Sequence, residues 1–181
     1  MIRCFPLLLP FLLAAQACAS QFELVVQCRP QDGNQAIRLL RSQLQLDSYQ
    51  YWIAHDGNIF PVFEDKTSSL GFDMQVHCSG GDVPLMVFSG QFTANALQGA
   101  AIGLDPASGT LNRIDFAERN RPHWIALDGF RLSVIFENSG QESASRYLIY
   151  RSDGLVDEVD EFPSTKLFDL RREVTPNVDA R

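Results

Sequence analysis

The chain is poor in lysine, in clustered positive charge and in recognisable catalytic motifs. It has 15 basic residues against 22 acidic ones, for a formal net charge of −7 over 181 residues. Only Lys66 and Lys166 are lysines. Because binding to phosphates requires clustered Lys and Arg, this balance argues against nucleic acid as a partner. It favours basic or neutral partners, although an acidic surface also serves solubility alone.

Sequence motifs of common hydrolases are missing as well. Neither Gly-x-Ser-x-Gly nor Ser-x-x-Lys occurs, and there is no His-Glu-x-x-His or Cys/His cluster. The three histidines, His55, His77 and His123, are dispersed along the chain. We therefore predict no catalytic residue, no metal and no cofactor. The alternative is a site that only the fold assembles, from groups distant in sequence.

What is present begins with an N-terminal leader. Met1 and Arg3 precede an almost wholly apolar stretch at residues 5–15, and Ala17-Cys18-Ala19 places small residues at a cleavage site. This is the anatomy of a secretory signal peptide, and its apolar core is shorter than the about 20 residues of a lasting membrane anchor. We therefore predict a signal peptide at residues 1–19 and a periplasmic protein. A loose lipobox before Cys18 leaves open a lipid-anchored form, in which the chain would contact the membrane.

Cys28 and Cys78 are the cysteines that remain after such cleavage. An even pair in an oxidising compartment predicts a disulfide. Closing a loop of about 50 residues would stabilise the fold by about 4 kcal/mol in the chain-entropy model. The alternative is a reactive thiolate, although neither cysteine belongs to a Cys-x-x-Cys pair.

Residues 20–163 are long enough for a single domain, and the charged, proline-punctuated residues 164–181 predict a C-terminal tail that frays. One helix is predicted, at residues 32–46. Asp32 can cap it with Gln35 in a capping box, and Ile37, Leu40 and Leu44 would share one face.

The rest of the domain has the patterns of β-structure. Residues 22–28 alternate as a first strand, and five further pairs of apolar runs flank short turns: 49–54 with 59–63, 70–78 with 83–88, 100–104 with 111–116, 124–127 with 130–136, and 146–150 with 155–162. Pro61 indicates an edge strand. Gly57, Gly109 and Gly154 recur at a spacing of about 50 residues, near that of propeller blades. We therefore predict a mainly β (α+β) fold of antiparallel hairpins, arranged as a meander, a sandwich or a propeller-like array.

Two segments carry possible contact residues. Asp157, Glu158, Asp160 and Glu161 are interpreted as a solvated strand face, with a docking strip for a basic partner or a calcium site as alternatives. Residues 88–99 are small, uncharged and rich in hydrogen-bonding groups, which suits a loop that enters a partner's cleft. Its predicted partner-binding residues are Ser89, Gly90, Gln91, Thr93 and Asn95.

With its leader, with Cys28 and Cys78, and with Ser89-Gly90, the chain resembles the β-rich periplasmic immunity proteins that protect a cell from type VI secretion toxins. It is most similar in character to those that plug a cysteine amidase. The resemblance implies an inhibitor without turnover, whose loop at residues 89–95 meets the catalytic Cys and His of a basic, peptidoglycan-degrading amidase. The alternatives are a cell-envelope hydrolase and an accessory envelope lipoprotein tethered through Cys18.

Overall fold

The computed structural model describes residues 22–29, 35–42, 46–79, 83–105, 108–128, 131–138, 143–162 and 167–171. The predicted signal peptide and the lipobox at Cys18 lie outside these residues. In the described ranges there is no apolar helix with the length needed to cross a bilayer.

The described chain is built from antiparallel strands. Thirteen are present: β1 (Glu23–Cys28), β2 (Ile37–Arg41), β3 (Tyr49–His55), β4 (Asn58–Pro61), β5 (Leu70–Ser79), β6 (Leu85–Gln91), β7 (Leu97–Leu104), β8 (Leu111–Glu118), β9 (Trp124–Asp128), β10 (Arg131–Glu137), β11 (Tyr147–Arg151), β12 (Val156–Val159) and β13 (Leu167–Asp169). The prediction of a mainly β fold with antiparallel hairpins is confirmed.

These strands form two sheets. The first has eight strands in the order β1-β2-β3-β5-β6-β7-β8, with β4 beside β3, and the second has five in the order β12-β11-β10-β9-β13. Most neighbours in a sheet are also neighbours in sequence, as in a meander. Within the described residues the first sheet does not close into a barrel, and β1, β4 and β8 lie at its edges. The position of β4 agrees with the edge strand that Pro61 indicated.

The first sheet folds over on itself between β3 and β5. These two strands are joined by only two residue pairs, Tyr49 with Gly71 and Gln50 with Leu70. The fold encloses a first core with apolar side chains from both halves, among them Ile37, Leu39, Tyr51, Ile53, Met74, Val76, Met86, Phe88 and Ile102. The predicted disulfide is confirmed: Cys28 at the end of β1 is bonded to Cys78 in β5, with 5.4 Å between their Cα atoms.

A second core lies between β6–β8 and the second sheet. Because strand side chains alternate, Met86 and Phe88 of β6 enter the first core while Leu85 and Val87 enter the second. The second sheet contributes Ile125, Leu132, Val134, Phe136 and Leu148. The described chain therefore has three stacked layers, β1–β4, β5–β8 and β9–β13, and the propeller alternative does not describe this stacking.

The predicted helix is wrong over the residues that the structure describes. Ile37–Arg41 forms strand β2, which pairs with β1 on one side and β3 on the other. Ile37, Leu39 and Arg41 are buried and Arg38 is exposed, which is the two-residue period of a strand. An apolar run this short fits the helical period as well as the strand period, and pairing with β1 and β3 makes it a strand. Residues 32–34 and 43–45 lie outside the described ranges.

The sequence also gave no sign of β13. Leu167–Asp169, inside the predicted tail at 164–181, pairs with β9. The next residue, Leu170, is buried in the second core and donates its backbone N–H to the carbonyl of His123 at 3.0 Å. The folded part of the chain therefore extends beyond residue 163. Residues 172–181 lie outside the described ranges.

The recurring glycines belong to turns. Gly57, Gly109 and Gly154 have φ values of +77°, +70° and +83°, in the left-handed region that glycine adopts without strain. At the β3–β4 hairpin Asp56 also has a positive φ, +48°, so both central residues are left-handed, as in a type I′ turn. The turns join strands in both sheets, so the recurrence reflects turn chemistry.

Candidate partner-binding surface

The predicted contact loop is shorter in the structure than the sequence indicated. Ser89 and Gly90 lie within β6 and are buried, with Ser89 only 4% exposed. Gln91 ends β6 and is exposed, and Thr93 and Asn95 are exposed in the connection to β7. A partner can therefore reach Gln91, Thr93 and Asn95, whereas Ser89 and Gly90 support them from within the sheet.

Phe92 anchors this connection to the first core. Its ring makes T-shaped contacts with Phe63 and Tyr51, at centroid distances of 4.8 and 5.9 Å. Gly71 makes room for the ring, since a Cβ at that position would lie 2.5 Å from Cδ1 of Phe92. The hydroxyl of Thr93 donates to the carbonyl of Ala96 at 3.2 Å and closes the turn. The exposed tip therefore stands on a fixed aromatic base.

Arg121 fixes the neighbouring strands. Its Nη1 donates to the carbonyl and the hydroxyl oxygen of Ser89 at 2.8 and 2.9 Å. Its Nη2 donates to the carbonyl and the carboxylate of Asp73 at 2.9 and 2.6 Å. Asp73 lies in a bulge of β5 with φ +52°. One guanidinium thus ties β5 and β6 together beneath the loop.

An exposed aromatic side chain borders the loop. Phe72 pairs with Gln91 across β5 and β6, and Gln91 pairs with Leu97 across β6 and β7. Phe72 is 45% exposed. A shallow pocket of about 230 Å³ lies beside them, lined by Gln91, Thr93, Asn95, Leu97 and Arg119 together with Ala94 and Ala96. We call Phe72, Gln91, Thr93, Asn95 and Arg119 the loop surface.

Glu118, the last residue of β8, has an interior role. Its side chain is buried between the sheets, where its carboxylate accepts a hydrogen bond of 2.6 Å from the hydroxyl of Tyr150. Arg121, in the connection from β8 to β9, pairs with Asp73 of β5. Neither interaction could be inferred from the sequence, because Tyr150 and Asp73 lie on strands far from Glu118 and Arg121 along the chain.

A larger concave region of about 610 Å³ lies between the chain around β4 and the edge strand β8. It is lined by Phe60, Pro61, Phe63, Glu64, Ser68, Gln98, Arg113 and Asp115. Arg113 donates to the carbonyl of Val62 and, from Nε, to both carboxylate oxygens of Asp115 at 2.9 and 3.0 Å. Arg113 and Asp115 thus pair with each other along β8, and Arg113 also reaches across the groove to the chain beside β4.

The histidines serve local roles. His55 is buried, with Nδ1 at 3.3 Å from the carbonyl of Ala36 and Nε2 at 3.4 Å from that of Gly109. His123 has its Nδ1 at 3.3 Å from the carboxylate of Glu137, and His77 lies in β5 opposite Val87. Among the described residues, no group of three or more His, Cys, Asp or Glu side chains is arranged to hold a metal ion.

The acidic run has partners on the neighbouring strand and loop. Asp157 pairs with Arg151, and the carboxylate of Glu158 accepts a hydrogen bond from the hydroxyl of Ser143. Asp160 accepts the backbone N–H of Arg146 at 3.1 Å. These contacts fit the solvated strand face that the alternation of charged and apolar residues predicted.

Comparison of the chain with known protein families, with curated proteins and with solved structures finds no match. The functional argument therefore rests on the residues of this chain and their geometry.

Proposed function

We propose that the chain is an exported binding protein that inhibits its partner by inserting the tip of the loop surface into the partner's cleft. The observation that carries this proposal is the contrast between the exposed tip of the loop and its base, which packs against the first core. Thr93, Ala94 and Asn95 are exposed and uncharged, while Phe92 packs in the first core just before them.

A fixed base favours tight binding. A loop that is already ordered loses little conformational entropy when it docks, so more of the contact energy appears as affinity. The Phe92 contacts and the Arg121 hydrogen bonds supply that order. Phe72 offers an exposed aromatic ring of the kind that dominates binding energy in interfaces. Small hydrogen-bonding side chains at the tip suit the polar groups inside an enzyme's cleft.

The finer proposal is that the partner is a basic, peptidoglycan-degrading amidase of a type VI secretion system, and that the chain is its periplasmic immunity protein. The leader sequence and the net charge of −7 support it, because opposite charge accelerates association. The disulfide supports a site of action outside the cytoplasm. In this proposal Thr93 and Asn95 approach the amidase's catalytic Cys and His.

Affinity capture from periplasmic extract tests the proposal, followed by a peptidoglycan-cleavage assay on the captured protein. We expect one basic hydrolase, inhibited at equimolar ratio. Asn95→Arg places a bulky charge at the tip and should weaken binding by about 30-fold or more, the scale of a central interface residue. Asn58→Arg is the matched control, since Asn58 is an exposed asparagine at the β3–β4 turn.

Two outcomes would overturn the proposal. If Asn95→Arg and Asn58→Arg bind the hydrolase as tightly as the unaltered chain, the loop surface is not the contact site. If the captured hydrolase keeps its full activity in a saturated complex, or no hydrolase is captured at all, the chain is not an inhibitor of such an enzyme.

A further inference from the structure

Strand β8 has no second strand paired with it in the described chain. It is the last strand of the first sheet and is eight residues long, and among the described strands it pairs only with β7. An edge strand presents a row of backbone N–H and C=O groups that can pair with another strand. The edge therefore matches the geometry needed for sheet extension.

The charges along β8 alternate with buried residues. Ile114 and Phe116 point into the second core. Arg113 and Asp115 lie on the opposite face, where their side chains are 26% and 57% exposed. The two carry opposite charges and are ion-paired with each other within one chain. A positive and a negative group therefore follow each other along this face, and in a dimer each would lie between its own partner and that of the second copy.

A second copy of β8 is complementary to this pattern in one register. When two copies run antiparallel about a twofold axis at Ile114, Arg113 of each lies opposite Asp115 of the other. Opposite charges at directly paired positions stabilise a sheet, and like charges destabilise it. A shift of two residues either way pairs Arg113 with Arg113 or Asp115 with Asp115. Charge thus selects the register centred on Ile114.

Charged residues of one sign commonly protect an edge strand from association. β8 instead carries one charge of each sign, and these favour pairing with an antiparallel copy, because the twofold axis places each charge opposite its counter-charge. A closed twofold contact uses the same patch on both copies and satisfies both edges at once, which prevents further growth.

We propose that the chain forms a homodimer through antiparallel pairing of β8 with β8, centred on Ile114, so that the two first sheets continue into each other. The proposal does not depend on the proposed inhibitory function, since the loop surface and its partner take no part in it.

Sedimentation equilibrium of the purified chain, with its disulfide intact, tests the proposal. We expect a monomer–dimer equilibrium. Arg113→Asp and Asp115→Arg each place like charges opposite each other in the dimer, and each should weaken association by about 10- to 100-fold. Arg151→Asp is the matched control: it breaks the ion pair with Asp157 in the second sheet and should leave the dimer unchanged.

Mixing the two variants makes the test specific to the register. A chain with aspartate at 113 and 115 faces a chain with arginine at both positions, so the pair is complementary and should form a heterodimer. The double variant Arg113→Asp/Asp115→Arg should regain the homodimer. Thermal melts check that each variant is folded. This check is needed because Arg113 also donates to the carbonyl of Val62, and its replacement removes that contact.

Three results would overturn the proposal. The first is a chain that stays monomeric up to its solubility limit. The second is a dimer that both single charge variants leave unchanged. The third is a pair of folded variants that remain monomeric after mixing, because complementary charge would then not govern the contact.

Discussion

Arg121 holds Asp73 in a left-handed backbone conformation. The Nη2 of Arg121 donates to both the carbonyl and the carboxylate of Asp73, at 2.9 and 2.6 Å, while Asp73 has φ +52° in the bulge of β5. Such a conformation is unfavourable for a residue with a side chain, although Asp tolerates it better than most. The double hydrogen bond offsets that cost where β5 bends beneath the loop surface.

Arg121→Ala should destabilise the fold. The buried hydroxyl of Ser89 loses its donor at 2.9 Å, and Asp73 loses both of its contacts. Leaving buried polar groups unpaired costs about 1–3 kcal/mol, and we expect a loss in that range in urea denaturation. The stability of Arg121→Lys should fall between that of the unaltered chain and that of Arg121→Ala, since an ammonium cannot reproduce the planar fork of the guanidinium.

Arg38→Ala is the control for this measurement, because Arg38 is exposed on β2. It should change the free energy of unfolding by less than about 0.5 kcal/mol. Equal midpoints for Arg121→Ala and Arg38→Ala would contradict the role assigned to the clamp.

The hairpins could be predicted from sequence because their determinants are local. The Asp56-Gly57 pair needs only its own backbone preferences to form a tight turn, and the alternating residues on either side set the strands. The disulfide was predictable for a different reason: Cys28 and Cys78 are the two cysteines outside the predicted leader, so the prediction had one pairing to choose.

Features that depend on distant contacts were not predictable. Ile37–Arg41 satisfies both a helical and a strand pattern, and pairing with β1 and β3 decides in favour of the strand. β13 is only three residues long and exists by pairing with β9. For the candidate site, the polar tip was visible in the sequence. The burial of Ser89 was not, because its partner Arg121 lies 32 residues away.

Removal of the disulfide should lower stability without a change of fold. The sulfur atoms connect β1 to β5, and Cys28 is 1% exposed. The chain-entropy model gives about 4 kcal/mol for a loop of this size. The double variant Cys28→Ala/Cys78→Ala should therefore unfold at markedly lower urea concentration than the oxidised chain. The same midpoint for the oxidised chain and the double variant would refute this prediction.

Two glycines of β7 provide a matched pair of substitutions. A Cβ at Gly99 would lie 2.1 Å from the backbone carbonyl oxygen of Phe88 and 2.6 Å from the ring of Phe116. At Gly103 the nearest heavy atoms would be 3.9 and 4.0 Å away, which is ordinary contact. Gly99→Ala should therefore destabilise the fold by about 3 kcal/mol through overpacking.

Gly103→Ala should be neutral or slightly stabilising, because alanine restricts the unfolded chain and has room in the folded one. Thermal unfolding of both variants, followed by circular dichroism, measures the difference. If the two variants melt together, the close approach of β6 and β7 at Gly99 does not constrain the sheet as argued.

Asp65 gives a prediction about pH. The backbone N–H of Ser68 donates to its carboxylate at 2.7 Å and the Ser68 hydroxyl at 3.0 Å, and these hydrogen bonds hold the pKa of Asp65 below its ordinary value. A depressed folded pKa means that the turn at residues 65–68 gains stability above the unfolded pKa and loses it as pH falls through the folded pKa.

Ser68→Ala removes the hydroxyl donor and keeps the backbone N–H, so it should raise the pKa of Asp65 part of the way toward its ordinary value. Thr67→Ala is the control, because Thr67 contributes through its backbone N–H, which alanine retains. Carboxyl-carbon chemical shifts of Asp65, followed from neutral to acidic pH in the three chains, measure the change. The same titration in all three would show that the Ser68 hydroxyl does not stabilise the carboxylate. A lower pKa in Ser68→Ala would reverse the sign of the argument.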